Sequence, residues 1–366
     1  MRLLCVIDSV GSGGAQRQMH AVASRMKRLG WDVAIAWYTE SDFYRARLEE
    51  AGVLCFQDSK ENTLWKRLVF LRRVEREFRP DSVLAFLPTP AFLCSLLKCL
   101  TFASWRLVVS IRGNNEERFT WTRNRFYRLF YSVASCVICN SHAEANVWKR
   151  HAPGFAPKLR VIPNFVQVPQ VTTASSIRPD GKTHLLVAAN LISNLKNPVN
   201  VVKALALLPP EEQRSIVIDW FGSRGQDDRV SDFCQSVESM IRDAGLKEVF
   251  RTHDATQEIY REMQAADIIG LFSTEEGLPN VICEAMALGK PVVMTKVSDW
   301  ENLVQGNGFV CAGTDAESIR DALRAIIHSE NTLLSEMGRK SRVLAEALFE
   351  ESQMISAWQA ALTPGA

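Results

Sequence analysis

The sequence predicts an α/β protein of two domains, each an open parallel sheet covered by helices. Three observations carry this. The chain has 366 residues, room for two domains of ordinary size. Short apolar runs alternate with helical patterns along its length, the grammar of parallel sheets. The alternation pauses once, over a stretch rich in Pro, Thr and Ser from Val166 to Lys182, and then restarts. The expected division is a first domain over 1–168, a linker over 169–180, a second domain over 181–345 and a terminal helix over 346–366. That helix is expected to cross back to the first domain.

In the first half, residues 3–8 read as a strand. It runs into Gly11-Ser12-Gly13-Gly14, a turn able to approach phosphate at the strand's carboxyl end. The next helix, about 16–29, keeps Met19, Val22, Ala23 and Met26 on one face. Gly30 stands where a C-terminal glycine belongs. A strand over 32–37 completes a strand–helix–strand unit. A helix through 67–77, a strand at 82–86, a helix through 91–100 and a strand at 106–111 follow. An aromatic, basic helix is expected over about 118–132. The strand 135–140 leads to a helix opened by Ser141, where Ser141-His142-Ala143-Glu144 fits a capping box. Residues 159–164 form the last strand of this half. The second half repeats the pattern, with strands at 184–189, 216–221, 267–272 and 291–295. Its tail, about 336–362, is helical.

Composition excludes several classes. Nine cysteines stand singly apart from Cys136 and Cys139, which argues against a disulfide scaffold. In a strand that pair points to opposite faces, which argues against a zinc or redox site. The run 3–7 lacks a small-residue cleavage site behind it, so no signal peptide is expected. The longest apolar stretch, 83–97, contains Pro88 and Pro90 and is too short to span a bilayer. A cytoplasmic protein, with peripheral contact at the inner face of the membrane, is the expectation. The net charge of +2 is unevenly spread. Residues 1–170 hold 25 basic and 14 acidic side chains, and residues 171–366 hold 18 and 27. A basic first half suits an anionic partner such as phosphate or a lipid surface. No RNA- or DNA-binding module accompanies it, so nucleic acid is not an expected partner.

The stretch Ser273-Thr274-Glu275-Glu276-Gly277-Leu278-Pro279-Asn280 leads into Val281-Ile282-Cys283-Glu284-Ala285-Met286-Ala287-Leu288-Gly289-Lys290-Pro291. A strand ends, a glycine turn follows, Pro279 sits near the first helical position, and Gly289 stops the helix. Amides at that helix N-terminus point into the crevice and are ready for phosphate. Glu276 precedes the helix and Glu284 lies about one turn in. Carboxylates there accept paired hydrogen bonds from vicinal hydroxyls on a ribose or a sugar ring.

This stretch closely resembles the E-x7-E signature of retaining glycosyltransferases of GT-B fold, especially glycosyltransferase family 4. The resemblance implies two Rossmann-like domains with the active site in the inter-domain cleft. It also implies a nucleotide-sugar donor, UDP favoured, and transfer with retention of configuration that needs no cofactor and no metal. Glu276 would hold the transferred sugar, Glu284 the ribose, and Gly277, Leu278, Pro279 and Asn280 would line the diphosphate. Lys196, in Asn190-Leu191-Ile192-Ser193-Asn194-Leu195-Lys196, matches the family's diphosphate lysine. Asn190 stands where an arginine is usual, so a cation is missing, and Arg224 after Phe221-Gly222-Ser223 is the candidate replacement. Gly222 belongs to the family's second glycine turn. Thr252 would lie in a loop near the base. In the first domain, Gly13 and Gly14 with Gln16 match the family's glycine loop. A dehydrogenase reading of that loop fails, because Gln16 stands where the third glycine is required.

Related enzymes often place a histidine or an arginine–asparagine pair beside the transferred sugar. Arg112 and Asn114 are the candidates, with an ion pair to a nearby carboxylate as the structural alternative for Arg112. No histidine is assigned a catalytic role.

Phe119, Trp121, Arg123, Arg125, Phe126, Tyr127, Arg128, Phe130 and Tyr131 form an aromatic, basic cluster. Membrane-surface helices have this composition, and so do core helices with outward arginines. With the basic first half, it suggests a glycan acceptor carried on a polyprenyl diphosphate. Two alternatives share the fold: a nucleotide-sugar epimerase, and a non-catalytic nucleotide-sugar-binding subunit.

Overall fold

The computed structural model describes every residue except Ser12, 59–62, 113–118, 120–121, 167–179, 227–228 and Ala366. Its contacts divide the chain into two units, Met1–Phe165 with Glu350–Ala366, and Val166–Phe349. Most of the expected linker lies outside the described residues.

The first unit holds a seven-stranded parallel sheet. Its strands are β1 (Arg2–Val6), β2 (Asp32–Trp37), β3 (Leu54–Gln57), β4 (Ser82–Phe86), β5 (Arg106–Ser110), β6 (Cys136–Cys139) and β7 (Leu159–Val161). They lie in the order β3-β2-β1-β4-β5-β6-β7. The chain runs outward from β1 to β3 and then returns to the other side of β1. The strand order therefore reverses between β1 and β4, where α/β sheets open a crevice at their carboxyl ends. Interior strands are covered on both faces, and β4 is buried at every residue. Helices α1 (Gly14–Arg28), α2 (Arg45–Glu50), α3 (Leu64–Phe78) and α4 (Pro88–Thr101) connect the first strands. Helix α4 packs against both α3 and the helix Thr122–Tyr131.

The terminal helix Glu351–Leu362 belongs to this unit and packs against α1 and the β4–β5 region. Trp358 is fully buried, its ring 6.1 Å from that of Phe86. Ser82 Oγ donates to the carbonyl of Leu362 at 2.6 Å, and Arg106 Nε to that of Ala361 at 2.8 Å. The expected single tail helix is in fact two, Asn331–Leu348 in the second unit and Glu351–Leu362 in the first.

The second unit holds a six-stranded parallel sheet of β8 (Thr183–Ala188), β9 (Ile216–Phe221), β12 (Phe250–His253), β13 (Ile268–Leu271), β14 (Val292–Thr295) and β15 (Gly308–Cys311). The two-residue strands β10 (Gly225–Gln226) and β11 (Arg229–Val230) pair apart from it. The order is β12-β9-β8-β13-β14-β15, so the reversal falls between β8 and β13. Three strands of the two main sheets escape the sequence pattern: β3, β12 and β15. Each is a four-residue strand at a sheet edge and only partly buried; β12, Phe250-Arg251-Thr252-His253, has no apolar run, and the apolar runs of β3 and β15 are short.

Candidate functional site

In the second unit, the segment after β13 enters the helix Asn280–Ala287 through Pro279, which occupies the cap position, one residue earlier than expected. Gly289 closes it with φ 69°, a left-handed conformation that glycine adopts without strain. The helix is buried from Ile282 to Ala287, which carries Glu284 to 8% exposure. Glu276 stands before the helix. Its Oε1 accepts a hydrogen bond from Ser273 Oγ at 2.7 Å and forms an ion pair with Lys196.

Lys196 arrives from the segment after β8, at the end of the 3-10 turn Asn194–Lys196. Three local features hold it there. Asn197 adopts φ 62°, and its Nδ2 donates to the carbonyl of Thr314 at 2.7 Å. Pro198 opens the next helix at a position that favours proline. Thr274 N donates to the carbonyl of Leu195 at 3.0 Å and stitches the two loops together. Lys196 and Glu276 thus meet where the strand order reverses.

Asn190 and Gly222 form a second junction. Asn190 Oδ1 accepts from Ser223 N at 3.1 Å, and Leu191 N donates to the carbonyl of Ser223 at 2.8 Å. A Cβ on Gly222 would lie 2.0 Å from the carbonyl oxygen of Ala189, so no larger residue fits without moving backbone. Asn190 therefore ties two loops together, a job its amide does and an arginine would not.

Arg224 does not stand open as a replacement cation. Its guanidinium pairs with Glu238 and lies 3.8 Å from Asp254. Thr252 corrects the sequence reading more sharply, since it sits inside strand β12 and not in a loop. Its hydroxyl donates to Glu238 Oε1 at 3.2 Å. Sequence reasoning also passed over Lys290. Its ammonium, 3% exposed, donates to the carbonyls of Gln264 and Ala266 at 2.6 and 2.8 Å. Burial pulls its pKa down to about 8. Lys290 thus closes the end of the helix Ile259–Ala265, and the lysine of the motif is architectural.

In the first unit, Gly13 caps α1 in extended conformation and Gly14 begins it. Gln16 Nε2 donates to Asp8 Oδ1 at 3.3 Å and to Ser9 Oγ at 3.1 Å. Burial raises the Asp8 carboxyl above its usual range. Arg112, just past β5, has φ 62°. Leu87, just past β4, has φ 74°, and its amide donates to the carbonyl of Ser110 at 2.8 Å. Positive φ at two bulky residues on one sheet edge is strain of the kind found at functional sites.

The Arg112 guanidinium lies 4.2 Å above the Phe86 ring and bonds the side chain of Asn164. Burial pulls its pKa down to about 10, opposed by the nearby Glu144. The nearest hydrogen-bond partner is thus an amide, and not the carboxylate of the alternative reading. Asn114 lies outside the described residues.

The aromatic, basic cluster divides in two. Phe119, Tyr127 and Tyr131 are core residues, and the Tyr127 ring stacks on Phe92 at 4.3 Å. Arg128 lies 3.9 Å above the Phe119 ring. Phe126 and Leu129 remain exposed, at 50% and 70%. Trp121 and the side chain of Arg123 lie outside the described residues. No helix of the described residues is long and apolar enough to cross a membrane.

Comparison with known proteins adds to this geometry. Residues 12–169 match the family described as Glycosyltransferase Family 4, and residues 167–329 match Glycosyl transferases group 1. The D-inositol 3-phosphate glycosyltransferase of Arthrobacter sp. is 29% identical over 227 residues, covering 58% of this chain. That match spans about half of the relative, 52% of its length. A Campylobacter jejuni enzyme is 20% identical over 90% of each chain. Its name is GalNAc-alpha-(1->4)-GalNAc-alpha-(1->3)-diNAcBac-PP-undecaprenol alpha-1,4-N-acetyl-D-galactosaminyltransferase. The crystal structure of Anabaena Alr3699/HepE in complex with UDP and glucose aligns over 100% of both chains, with TM-score 0.84 and 19% identity.

Two parallel sheets with matching order reversals, the acidic motif after β13 and these family matches agree, and the chain belongs to the family 4 glycosyltransferases of GT-B fold.

Proposed function

We propose that the chain moves a hexosyl or N-acetylhexosaminyl group from a UDP-sugar to a hydroxyl of a glycan carried on a polyprenyl diphosphate, with retention of anomeric configuration. The observation that carries this is the Lys196–Glu276 pair at the strand reversal, beside the N-terminus of the helix Asn280–Ala287. The Anabaena structure was solved with UDP and glucose, and the Campylobacter relative is named for an undecaprenyl-linked acceptor.

The pair suggests how binding prepares the site. An incoming diphosphate carries more negative charge than one carboxylate and draws Lys196 toward itself. Glu276 then loses its cation and turns its free oxygen to the hydroxyls of the donor sugar, held from behind by Ser273. Glu284, deep in the helix, takes the ribose. As the glycosidic bond breaks, charge grows on the leaving diphosphate, and the Lys196 ammonium and the helix amides stabilise it. A phosphate oxygen of the leaving group takes the acceptor proton, and the acceptor oxygen bonds the anomeric carbon on the face the diphosphate leaves. Arg112 belongs to the acceptor side. Phe126 and Leu129, the apolar residues left exposed on the helix Thr122–Tyr131, contact the lipid surface.

Two measurements test this reading. With UDP at about 100 times its dissociation constant, thermal unfolding should show stabilisation of about 2.7 kcal/mol. GDP, ADP and NAD should give less, and Glu284→Ala should abolish most of the UDP effect. No shift with any nucleotide would sink the donor assignment. Flotation with anionic vesicles at low salt should carry the protein upward, and Phe126→Ser with Leu129→Ser should leave it at the bottom. A wild-type protein that stays behind removes the membrane contact.

A further inference from the structure

Helices α3 and α4 end beside one another at the amino edge of the first sheet, just before β4 and β5 begin, and a basin of about 510 Å³ opens at their ends. The crevice lies at the other edge. β4 has five residues, so about 17 Å of strand separates the two. Arg72, Glu75, Arg76 and Arg79 line the basin from α3, and Phe102 lines it from the end of α4.

Two residue choices there work against the fold. Each helix closes in a left-handed residue, Arg79 with φ 49° and Phe102 with φ 50°. Glycine takes that conformation freely, and a bulky side chain takes it with strain. Packing does not offset the strain at Phe102, which leaves 93% of its surface in solvent, and Leu100 beside it leaves 58%.

The charges point the same way. The one carboxylate among the lining residues, Glu75, pairs with Arg72. The side chains of Arg76 and Arg79 make no ion pair or hydrogen bond among the described residues. The carbonyls of Ala103 and Trp105, which would oppose an anion, already accept from Lys98 Nζ at 2.6 and 2.5 Å. Arg76 and Arg79 also suit the negative end of α3, but that role asks nothing of Phe102.

A soluble phosphate ester would leave Phe102 and Leu100 in water. An anionic bilayer, with phosphates outermost and hydrocarbon beneath, takes both kinds of side chain at once. We infer that the amino edge of the first sheet docks on anionic phospholipid, with Phe102 and Leu100 entering the hydrocarbon boundary and Arg76 and Arg79 meeting headgroup phosphates. The contact leaves the crevice clear for the acceptor glycan. It goes beyond the lipid contact proposed for Phe126 and Leu129, which lie on another helix, and it needs no donor assignment.

The test is flotation of the full chain with vesicles of phosphatidylglycerol and of phosphatidylcholine at low salt. Wild type should bind the anionic vesicles at least about ten-fold tighter than the neutral ones. Arg76→Gln with Arg79→Gln should erase most of that preference. Phe102→Gly should weaken binding to anionic vesicles about ten-fold. It should nevertheless unfold at the wild-type temperature or above it, because glycine fits the left-handed position. Both variants should keep the stabilisation by UDP, so failure of the donor reading and failure of this one are separable. No binding of wild type to anionic vesicles, or equal binding to both kinds, overturns the inference. Unchanged vesicle binding in Phe102→Gly also overturns it, and leaves any lipid contact to Phe126 and Leu129. Release from the vesicles by millimolar glycerol 3-phosphate overturns it as well and assigns the arginines to a free phosphate ester.

Discussion

Lys196→Ala should lower the turnover of sugar transfer by about 10²- to 10³-fold, the loss seen when one group that stabilises developing charge is removed. The expectation follows from where the ammonium sits. It pairs with Glu276, whose side chain is 14% exposed, in a loop pinned by Thr274 and Asn197. On the proposed reading, the ammonium meets the charge already on the bound diphosphate and the further charge that grows as it departs. The effect should therefore fall on kcat and on the donor KM together. Glu276→Gln separates the two halves of the pair. It keeps the size of the side chain and removes the charge, so donor binding should persist while transfer falls. The check is the initial rate of UDP release at saturating donor, with acceptor present. A Lys196→Ala enzyme within about three-fold of wild-type kcat, less than one neutral hydrogen bond contributes, would reduce the pair to a structural ion pair.

Trp358→Ala should destabilise the protein by about 3–5 kcal/mol, the range for truncating a fully buried tryptophan. Trp358 is 0% exposed and fills the space beside Phe86, and the Arg112 guanidinium lies 5.8 Å from its ring. Truncation leaves a cavity that the β4 strand cannot close, because every residue of β4 is already packed. It also strips one aromatic support from Arg112. Trp358→Phe should recover more than half of the loss, since its indole nitrogen makes no hydrogen bond that phenylalanine would forfeit. Urea unfolding monitored by circular dichroism reads both variants. A loss below about 1 kcal/mol, an ordinary surface effect, would mean the terminal helix does not dock as described.

What the sequence revealed follows from what each residue faces. Interior strands such as β4 and β9 are covered on both sides and announce themselves as apolar runs. The edge strand β12 mixes polar and apolar residues, so it reads as a loop, and with it Thr252. The acidic motif was legible because its chemistry is contiguous: one strand end, one turn and one helix carry it. The Arg224–Glu238–Thr252 cluster was not, because its centre lies on the separate helix Asp232–Asp243. Arg112 was found but its partner Asn164 was not, since 52 residues separate them. The 119–131 cluster shows the limit of composition. Tyr127 and Phe126 are neighbours in sequence, yet α4 covers one and leaves the other open.

The return of the helix Glu351–Leu362 to the first unit makes the second unit an insertion within the first. The second is one unbroken stretch of chain, 166–349, whereas the first is assembled from two pieces. The first unit therefore stays incomplete until the chain beyond residue 349 has been made, because the tryptophan that covers β4 lies there. Until Trp358 emerges, the nascent first unit holds an uncovered apolar face beside Phe86. The unit whose chain begins first is the one whose described chain ends last.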